Sequence, residues 1–235
     1  MRIRDMVRRV ASTATHALFP ARCVHCGRDG ELICDRCLAG ATRIDREASC
    51  RMCALPTGGV KLCGRCSTDP APASSLIAVF AFDGAIRSAI HALKYDGLRS
   101  IAPALSEEMA SRWGDRRKVP DATVPVPLHR SRLRARGYNQ AELLARNVAA
   151  HTGAPLRTDL LRRVVDSPSQ ASAVGEAERA ARVRDAFKAG AAVDGLHILL
   201  IDDVATTGST INSAAQTLLE AGAWGVSALV LAREL

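Results

Sequence analysis

A chain of 235 residues, 48% of them hydrophobic, is long enough to bury one sizeable core and carry a small additional domain. The net charge of +8 favours anionic partners or phosphorylated substrates, although solubility alone also explains it, and 3% aromatic residues leave few rings for stacking on nucleic-acid bases. No apolar run approaches the roughly 18 residues of a membrane span, and the chain does not begin like a secretory signal. We therefore expect a cytoplasmic protein without membrane insertion.

The first 70 residues predict a helix followed by two metal sites. Apolar residues recur at helical spacing over residues 6–18, which predicts an amphipathic helix docked on the body. All eight cysteines follow before residue 67, in four Cys-x-x-Cys pairs, and two such pairs can complete one tetrahedral four-sulfur zinc site. Disulfides need an oxidising compartment, for which the sequence gives no indication. A redox protein normally has one Cys-x-x-Cys motif rather than four, so we expect two structural zinc ions. The expected ligands are Cys23, Cys26, Cys34, Cys37, Cys50, Cys53, Cys63 and Cys66. Pairing in sequence order gives the shorter loops, and interleaved pairing stays open.

A linker rich in proline, serine and alanine, residues 67–75, separates this zinc-ribbon domain (1–70) from a second domain (74–235). In the second domain, strands alternate with helices, which is typical of a doubly wound, mainly parallel α/β sheet. Ligands of such sheets bind beyond the carboxyl ends of the strands. The predicted strands are 76–82, 122–126, one within 156–165, 186–188, 196–201 and 226–231, and the main helices are about 86–94, 101–112, 138–150 and 211–220.

Two acids and a hydroxyl-rich loop follow the strand at 196–201. Successive backbone N–H groups, the start of the next helix and several hydroxyls can surround a phosphate monoester. Asp202 and Asp203 stand close enough to hydrogen-bond the sugar that carries such a phosphate, which predicts a ribose-5-phosphate site. The loop has no lysine after its glycine, unlike the phosphate loop of nucleoside triphosphatases. A well-capped helix without a ligand is the alternative. The predicted phosphate-binding residues are Ala205, Thr206, Thr207, Gly208, Ser209 and Thr210.

A basic segment, which we expect to be a loop, follows the strand at 122–126 and includes Arg130, Arg132, Arg134 and Arg136. If this segment lies next to the Asp-Asp loop, its positive charge can stabilise a departing anionic group. Without that neighbour, a solvated basic turn is the simpler interpretation. Lys94 ends a predicted helix and offers a further cation, although the helix dipole also favours a lysine there.

The run of four hydrophobic residues, Asp-Asp, two hydrophobic residues and Thr-Thr-Gly-Ser-Thr resembles the phosphoribosyl pyrophosphate (PRPP) signature of type I phosphoribosyltransferases. Together with the four cysteine pairs, His91–Gly97, Pro125–Arg130 and Arg136–Gln140, it resembles the ComF family over nearly the whole chain. This resemblance implies that PRPP binds with Mg²⁺ and that Asp202 and Asp203 are catalytic. It also implies that Lys94, Arg136, Gly137 and the loop Pro127–Arg130 meet the pyrophosphate. The resemblance further implies a hood segment at 163–187, in which Gln170–Gly175 could fold over the substrate; a disordered surface loop in the free protein is the alternative. Arg182 stands where the family often has asparagine.

Three functions remain open at this point. The first is transfer of the phosphoribosyl group to an unknown nitrogen acceptor. The second, which the resemblance links to natural transformation, is a non-catalytic, PRPP-responsive protein that handles single-stranded DNA beside other proteins of the competence machinery. The third is a zinc-ribbon adaptor that recruits a partner protein.

Overall fold

The computed structural model describes residues 21–114, 119–166 and 186–235. The predicted helix at 6–18 and most of the predicted hood, including residues 170–175, lie outside these ranges. Over the described ranges, none of the helices is both long and apolar enough to cross a membrane. The elements, in chain order, are α1 (Asp35–Ala39), α2 (Gly64–Thr68), β1 (Ser75–Ala81), α3 (Gly84–Tyr95), a short 3₁₀ helix (Arg99–Ile101), α4 (Ala102–Trp113), β2 (Ala122–Pro125), α5 (Arg130–Arg136), α6 (Gln140–Thr152), β3 (Leu161–Arg163), β4 (Phe187–Ala189), β5 (His197–Ala205), α7 (Ser209–Glu220) and β6 (Gly225–Arg233).

The main sheet has four parallel strands in the order β1-β6-β5-β2. The central strands β5 and β6 are buried along almost their whole length, which explains why both are near-continuous apolar runs rather than alternating ones. Because all three strand pairs are parallel, the carboxyl ends of the four strands lie at the same end of the sheet.

Helices cover both faces of this sheet. On one face, Leu199 and Ile201 of β5 belong to the core formed by α3, α4 and α6. On the other, Ile198 and Leu200 pack in a core with α7 and the antiparallel β3–β4 hairpin. The predicted doubly wound α/β fold is therefore confirmed.

The cysteine-rich region completes one edge of the sheet. Arg43 forms an antiparallel bridge with Phe80 of β1. The Ile44 N–H donates to the Val79 carbonyl (3.0 Å), and the Ala81 N–H donates to the Thr42 carbonyl (2.8 Å). Residues 42–44 thus cover a strand edge that would otherwise present unpaired backbone groups.

Three local expectations were wrong in detail. Strand β5 does not end at residue 201 but continues to Ala205, because β6 stays paired with it as far as Arg233. The basic segment is a short helix, α5, built from arginines that tolerate helical geometry well and ended by Gly137 at φ +78°. Among the described residues, the strands near 161 and 187 pair with each other and not with the main sheet.

Candidate functional site

The eight cysteines form two groups of four in sequence order, Cys23/Cys26/Cys34/Cys37 and Cys50/Cys53/Cys63/Cys66. Within each group, all sulfur atoms lie within 4.8 Å of one another. The Sγ–Sγ distances of Cys26–Cys34 and Cys53–Cys63 are both 3.7 Å, close to the roughly 3.8 Å between sulfurs bound tetrahedrally to one zinc. Both groups therefore fit a zinc ion, and four sulfur ligands leave no open position for catalysis.

The ionisation of these thiols also favours a metal. Burial raises the pKa of Cys23, but backbone N–H groups of Cys26 and Cys34 outweigh it and lower that pKa to about 6. Burial and the neighbouring sulfurs raise the pKa of Cys37 in the same group to about 12. Four thiolates, the form that binds zinc, can therefore coexist only around a cation.

The acid pair lies in the last part of β5, at the edge where the strands end. Successive strand residues point to opposite faces of a sheet, so Asp202 shares the face of Leu200, and Asp203 that of Ile201. Both residues are buried, with 8% and 2% of their surface exposed. The Asp203 N–H donates to Asp202 Oδ1 (2.9 Å), which fixes the first carboxylate against the backbone.

Asp203 belongs to a chain of charged and polar contacts. One carboxylate oxygen is ion-paired with Lys94 Nζ of α3, and the other accepts from Gln140 Nε2 (3.0 Å) at the start of α6. Gln140 Oε1 in turn accepts from the guanidinium of Arg136. The fold thus brings together three residues that the sequence predicts at the site, Lys94, Arg136 and Asp203. Gln140 joins them, and although its motif was part of the resemblance, its side chain had no predicted role.

Asp202 has different surroundings. Burial, together with repulsion from Asp203, raises its pKa well above the usual value, and Lys94 only partly opposes this. Arg163 of β3 lies near enough to Asp202 to be attracted by its charge. Burial, followed by repulsion from Arg132, lowers the pKa of Arg163, and attraction to Asp202 only partly opposes this. The two neighbouring acids therefore differ in charge environment as well as in direction.

The loop after β5 is open to a ligand. Thr206, Thr207 and Ser209 are exposed, while Ala205 is buried beneath them. Thr207 Oγ1 donates to Ser209 Oγ (3.0 Å) and accepts from the Ser209 N–H (3.3 Å). Gly208, at φ +82°, turns the chain into α7, whose first two residues are Ser209 and Thr210, so the free N–H groups of a three-turn helix begin here. This geometry suits a phosphate group.

A basic cleft of about 410 Å³ lies beside Asp203. The Arg136 guanidinium stands 5.6 Å from the ring centre of Tyr95 on its wall. Gly137 ends α5 at the cleft, and a side chain there would meet the Arg99 guanidinium at 3.2 Å. The cleft is lined by Lys94, Tyr95, Gly97, Arg132, Ala135, Arg136 and Tyr138.

Arg233 connects the loop to the second cysteine group. This residue, at the end of β6, is 3% exposed. The guanidinium donates to the carbonyls of Cys53 (2.9 Å), Ala205 (2.9 Å) and Thr206. Sequence reasoning assigned Arg233 no role, and its only signal is a charged residue at the end of a buried apolar strand.

Comparison with known proteins places these features in one family. A double zinc ribbon domain matches residues 14–67, and a phosphoribosyl transferase domain matches residues 135–234. The DNA utilization protein YhgH of Salmonella typhi is 35% identical over 209 residues, which cover 86% of this chain and 91% of that protein. The competence protein ComFC of Bacillus subtilis is 27% identical over 86% of this chain and 85% of its own. The competence protein F of Haemophilus influenzae is 32% identical over 49% of this chain and 52% of its own. The chain, a double zinc ribbon followed by a phosphoribosyltransferase domain, belongs to the ComF family.

Proposed function

We propose that this protein binds PRPP together with Mg²⁺ and transfers its phosphoribosyl group to a nitrogen acceptor, releasing pyrophosphate. The observation that carries the proposal is the juxtaposition at the end of β5. Two buried carboxylates directly precede an exposed hydroxyl loop at a helix N-terminus, and a basic cleft lies beside them. These three parts match the ribose hydroxyls, the 5-phosphate and the pyrophosphate of a single substrate.

Each part has a distinct chemical task. The loop from Ala205 to Thr210 would hold the 5-phosphate through N–H groups and hydroxyls. Asp202 and Asp203 would accept hydrogen bonds from the ribose hydroxyls and stabilise positive charge on the sugar as its bond to pyrophosphate breaks. Mg²⁺, which prefers oxygen ligands and binds substrate phosphates readily, would neutralise the pyrophosphate.

The leaving group would be received by the basic cleft. Lys94, Arg136 and the N-terminal end of α5 would contact pyrophosphate, with Gly137 allowing close backbone approach. In the free protein, Lys94 is paired with Asp203. Substrate must therefore exchange this contact, so that Lys94 turns to phosphate oxygens while Asp203 turns to the ribose.

A turnover assay tests transfer. Zinc-loaded protein would be incubated with PRPP, Mg²⁺ and a panel of nitrogen bases while pyrophosphate release is measured. We expect release that depends on one acceptor and is abolished by Asp202→Asn/Asp203→Asn. The matched control is Asp69→Asn, which changes an exposed carboxylate that forms no ion pair within the described part of the chain. Equal release by the Asp202/Asp203 variant would exclude the proposed role of the acid pair.

Handling of single-stranded DNA is the second candidate. It is favoured by α5, in which Arg130, Arg132, Arg134 and Arg136 alternate along seven residues, none of them buried. The names of the relatives, a DNA utilization protein and competence proteins, agree with it. Contacts to a phosphate backbone predict an affinity that falls steeply with salt. Binding of an oligothymidylate should disappear when Arg132, Arg134 and Arg136 are changed to Gln, and salt-insensitive binding would count against this role.

Both candidates operate in the cytoplasm on this proposal, because reducing conditions keep the eight cysteines available as zinc ligands. Other proteins of the competence machinery are the expected partners.

A further inference from the structure

A second cavity lies at the junction of the zinc ribbon and the sheet. It has a volume of about 290 Å³ and is bounded by the second cysteine group, the start of β1 and the end of α4. It shares no lining residue with the basic cleft beside Asp203. The proposed PRPP site therefore does not account for it.

The side chains that line this junction cavity include more cations than carboxylates. Arg46, Arg51, Lys61 and Arg112 line it, against the single carboxylate of Glu47. Arg46, Arg51 and Lys61 are exposed, and within residues 21–114, 119–166 and 186–235 none of the three forms an ion pair. Converging cations without partners favour a bound anion.

Arg112 adds an unmet hydrogen bond. One guanidinium nitrogen donates to the Ile44 carbonyl, which holds the side chain against the cavity. Its Nε is buried and has no hydrogen-bond partner among the described residues. A buried N–H without an acceptor destabilises the fold, and a ligand oxygen would remove that cost. Burial, followed by repulsion from Arg46, lowers the pKa of Arg112; attraction to Asp45 only partly opposes this, and a bound anion would relieve the repulsion further.

The floor of the cavity is apolar. Ile44, Ala54 and Leu76 are all buried there. The volume is near the lower end of small-molecule sites. We propose that the junction cavity binds a small organic phosphate, with its phosphate among Arg46, Arg51 and Arg112 and its organic part on this floor. The proposal does not depend on catalysis at the acid pair.

Calorimetric titration of the full-length, zinc-loaded protein with AMP tests this site, with adenosine as the probe that lacks phosphate. Arg46→Gln/Arg51→Gln removes two exposed cations from the wall. Arg28→Gln/Arg36→Gln removes two exposed arginines of the first ribbon that do not line the cavity. We expect AMP, but not adenosine, to bind the wild type. Loss of two charge-assisted contacts should weaken AMP at least about tenfold in the first variant only.

Because AMP could also enter the PRPP site, the titration is repeated with Asp202→Asn/Asp203→Asn. Unchanged AMP affinity in that variant supports a separate site, whether or not PRPP binds. Three results would overturn the proposal: no AMP binding by the wild type, equal binding by the Arg46/Arg51 variant, or equal binding of adenosine. An oligothymidylate that binds through Arg46 and Arg51 while AMP does not would also overturn it, and would assign the surface to nucleic acid.

Discussion

Asp202 and Asp203 are adjacent, but their side chains lie on opposite faces of the sheet and are surrounded by different charged and polar groups. Asp203 is compensated by Lys94 and by the Gln140 amide. Asp202 accepts a hydrogen bond from the backbone, but burial and repulsion from Asp203 destabilise its ionised form. Of the two acids, Asp202 is therefore the one whose negative charge is less well compensated in the unliganded protein.

Replacing Asp202 by Asn should therefore stabilise the unliganded protein at neutral pH. The folded-state pKa of Asp202 is raised, so its contribution to stability is present below the unfolded pKa of about 3.9 and is lost as pH rises through the folded value. Asn avoids this loss, so at pH 7 we expect Asp202→Asn to be more stable by on the order of 1 kcal/mol, or about 2–4 °C in Tm.

Thermal unfolding followed from pH 4 to pH 8 measures this effect, with Asp69→Asn as the control. The stabilisation by Asp202→Asn should shrink towards pH 4, where both states of the wild type become protonated. A variant less stable than the wild type at pH 7 would show instead that a cation holds Asp202 ionised.

Sequence reasoning succeeded at the residue scale where a motif was continuous, as in the Asp-Asp loop and the cysteine pairs. It did not assign Gln140 and Arg233, because their roles depend on contacts with residues 63 and 180 positions away. It also placed both acids after the strand, since no local pattern indicates how far β6 remains paired with β5.

At the scale of elements, the loop between β5 and α7 depends on one glycine. Gly208 adopts φ +82°, a conformation that favours glycine, and a Cβ at this position would meet no atom within 4 Å. Substitution therefore tests backbone conformation alone, without a steric clash.

We expect Gly208→Ala to cost about 1 kcal/mol of folding stability and to weaken PRPP binding several-fold, because the strained loop turns its N–H groups away from the phosphate. Chemical denaturation and calorimetry measure the two effects. Gly64→Ala is the matched control, since Gly64 begins α2 without a positive φ, and a Cβ there would also meet no atom within 4 Å. Equal PRPP affinity in the wild type and Gly208→Ala would show that the loop does not hold the phosphate through its N–H groups.

The second zinc ribbon should influence the loop more than the first. Arg233 joins the Cys53 carbonyl to the carbonyls of Ala205 and Thr206. Loss of the second metal should release this bridge and loosen the phosphate loop.

Cys26→Ser and Cys53→Ser compare the two centres at equivalent positions. Each should lower the zinc content, measured by atomic absorption, from two ions per chain towards one. PRPP affinity should fall further in Cys53→Ser. An equal or greater fall in Cys26→Ser would contradict the bridging role of Arg233.

In the whole molecule, the cysteine-rich region packs against the sheet along its outer strand β1. Residues 42–44 pair with β1, and Arg233 ties the second ribbon to the end of β6. The doubly wound fold and the two metal sites were predictable from the sequence, because alternation of elements and ligand spacing are local patterns. The pairing of the ribbon with β1 was not, since residues 42–44 carry no strand pattern of their own. The domain boundary at residues 67–75 stays a prediction.

The central claim is that the end of β5 binds PRPP, and calorimetric titration of the zinc-loaded protein with PRPP and Mg²⁺ tests it most directly. We predict micromolar binding by the wild type and by Asp69→Asn, and loss of binding in Asp202→Asn/Asp203→Asn while its fold and zinc content are retained. Absence of binding by the folded, zinc-loaded wild type, or equal binding by the Asp202/Asp203 variant, would contradict the account.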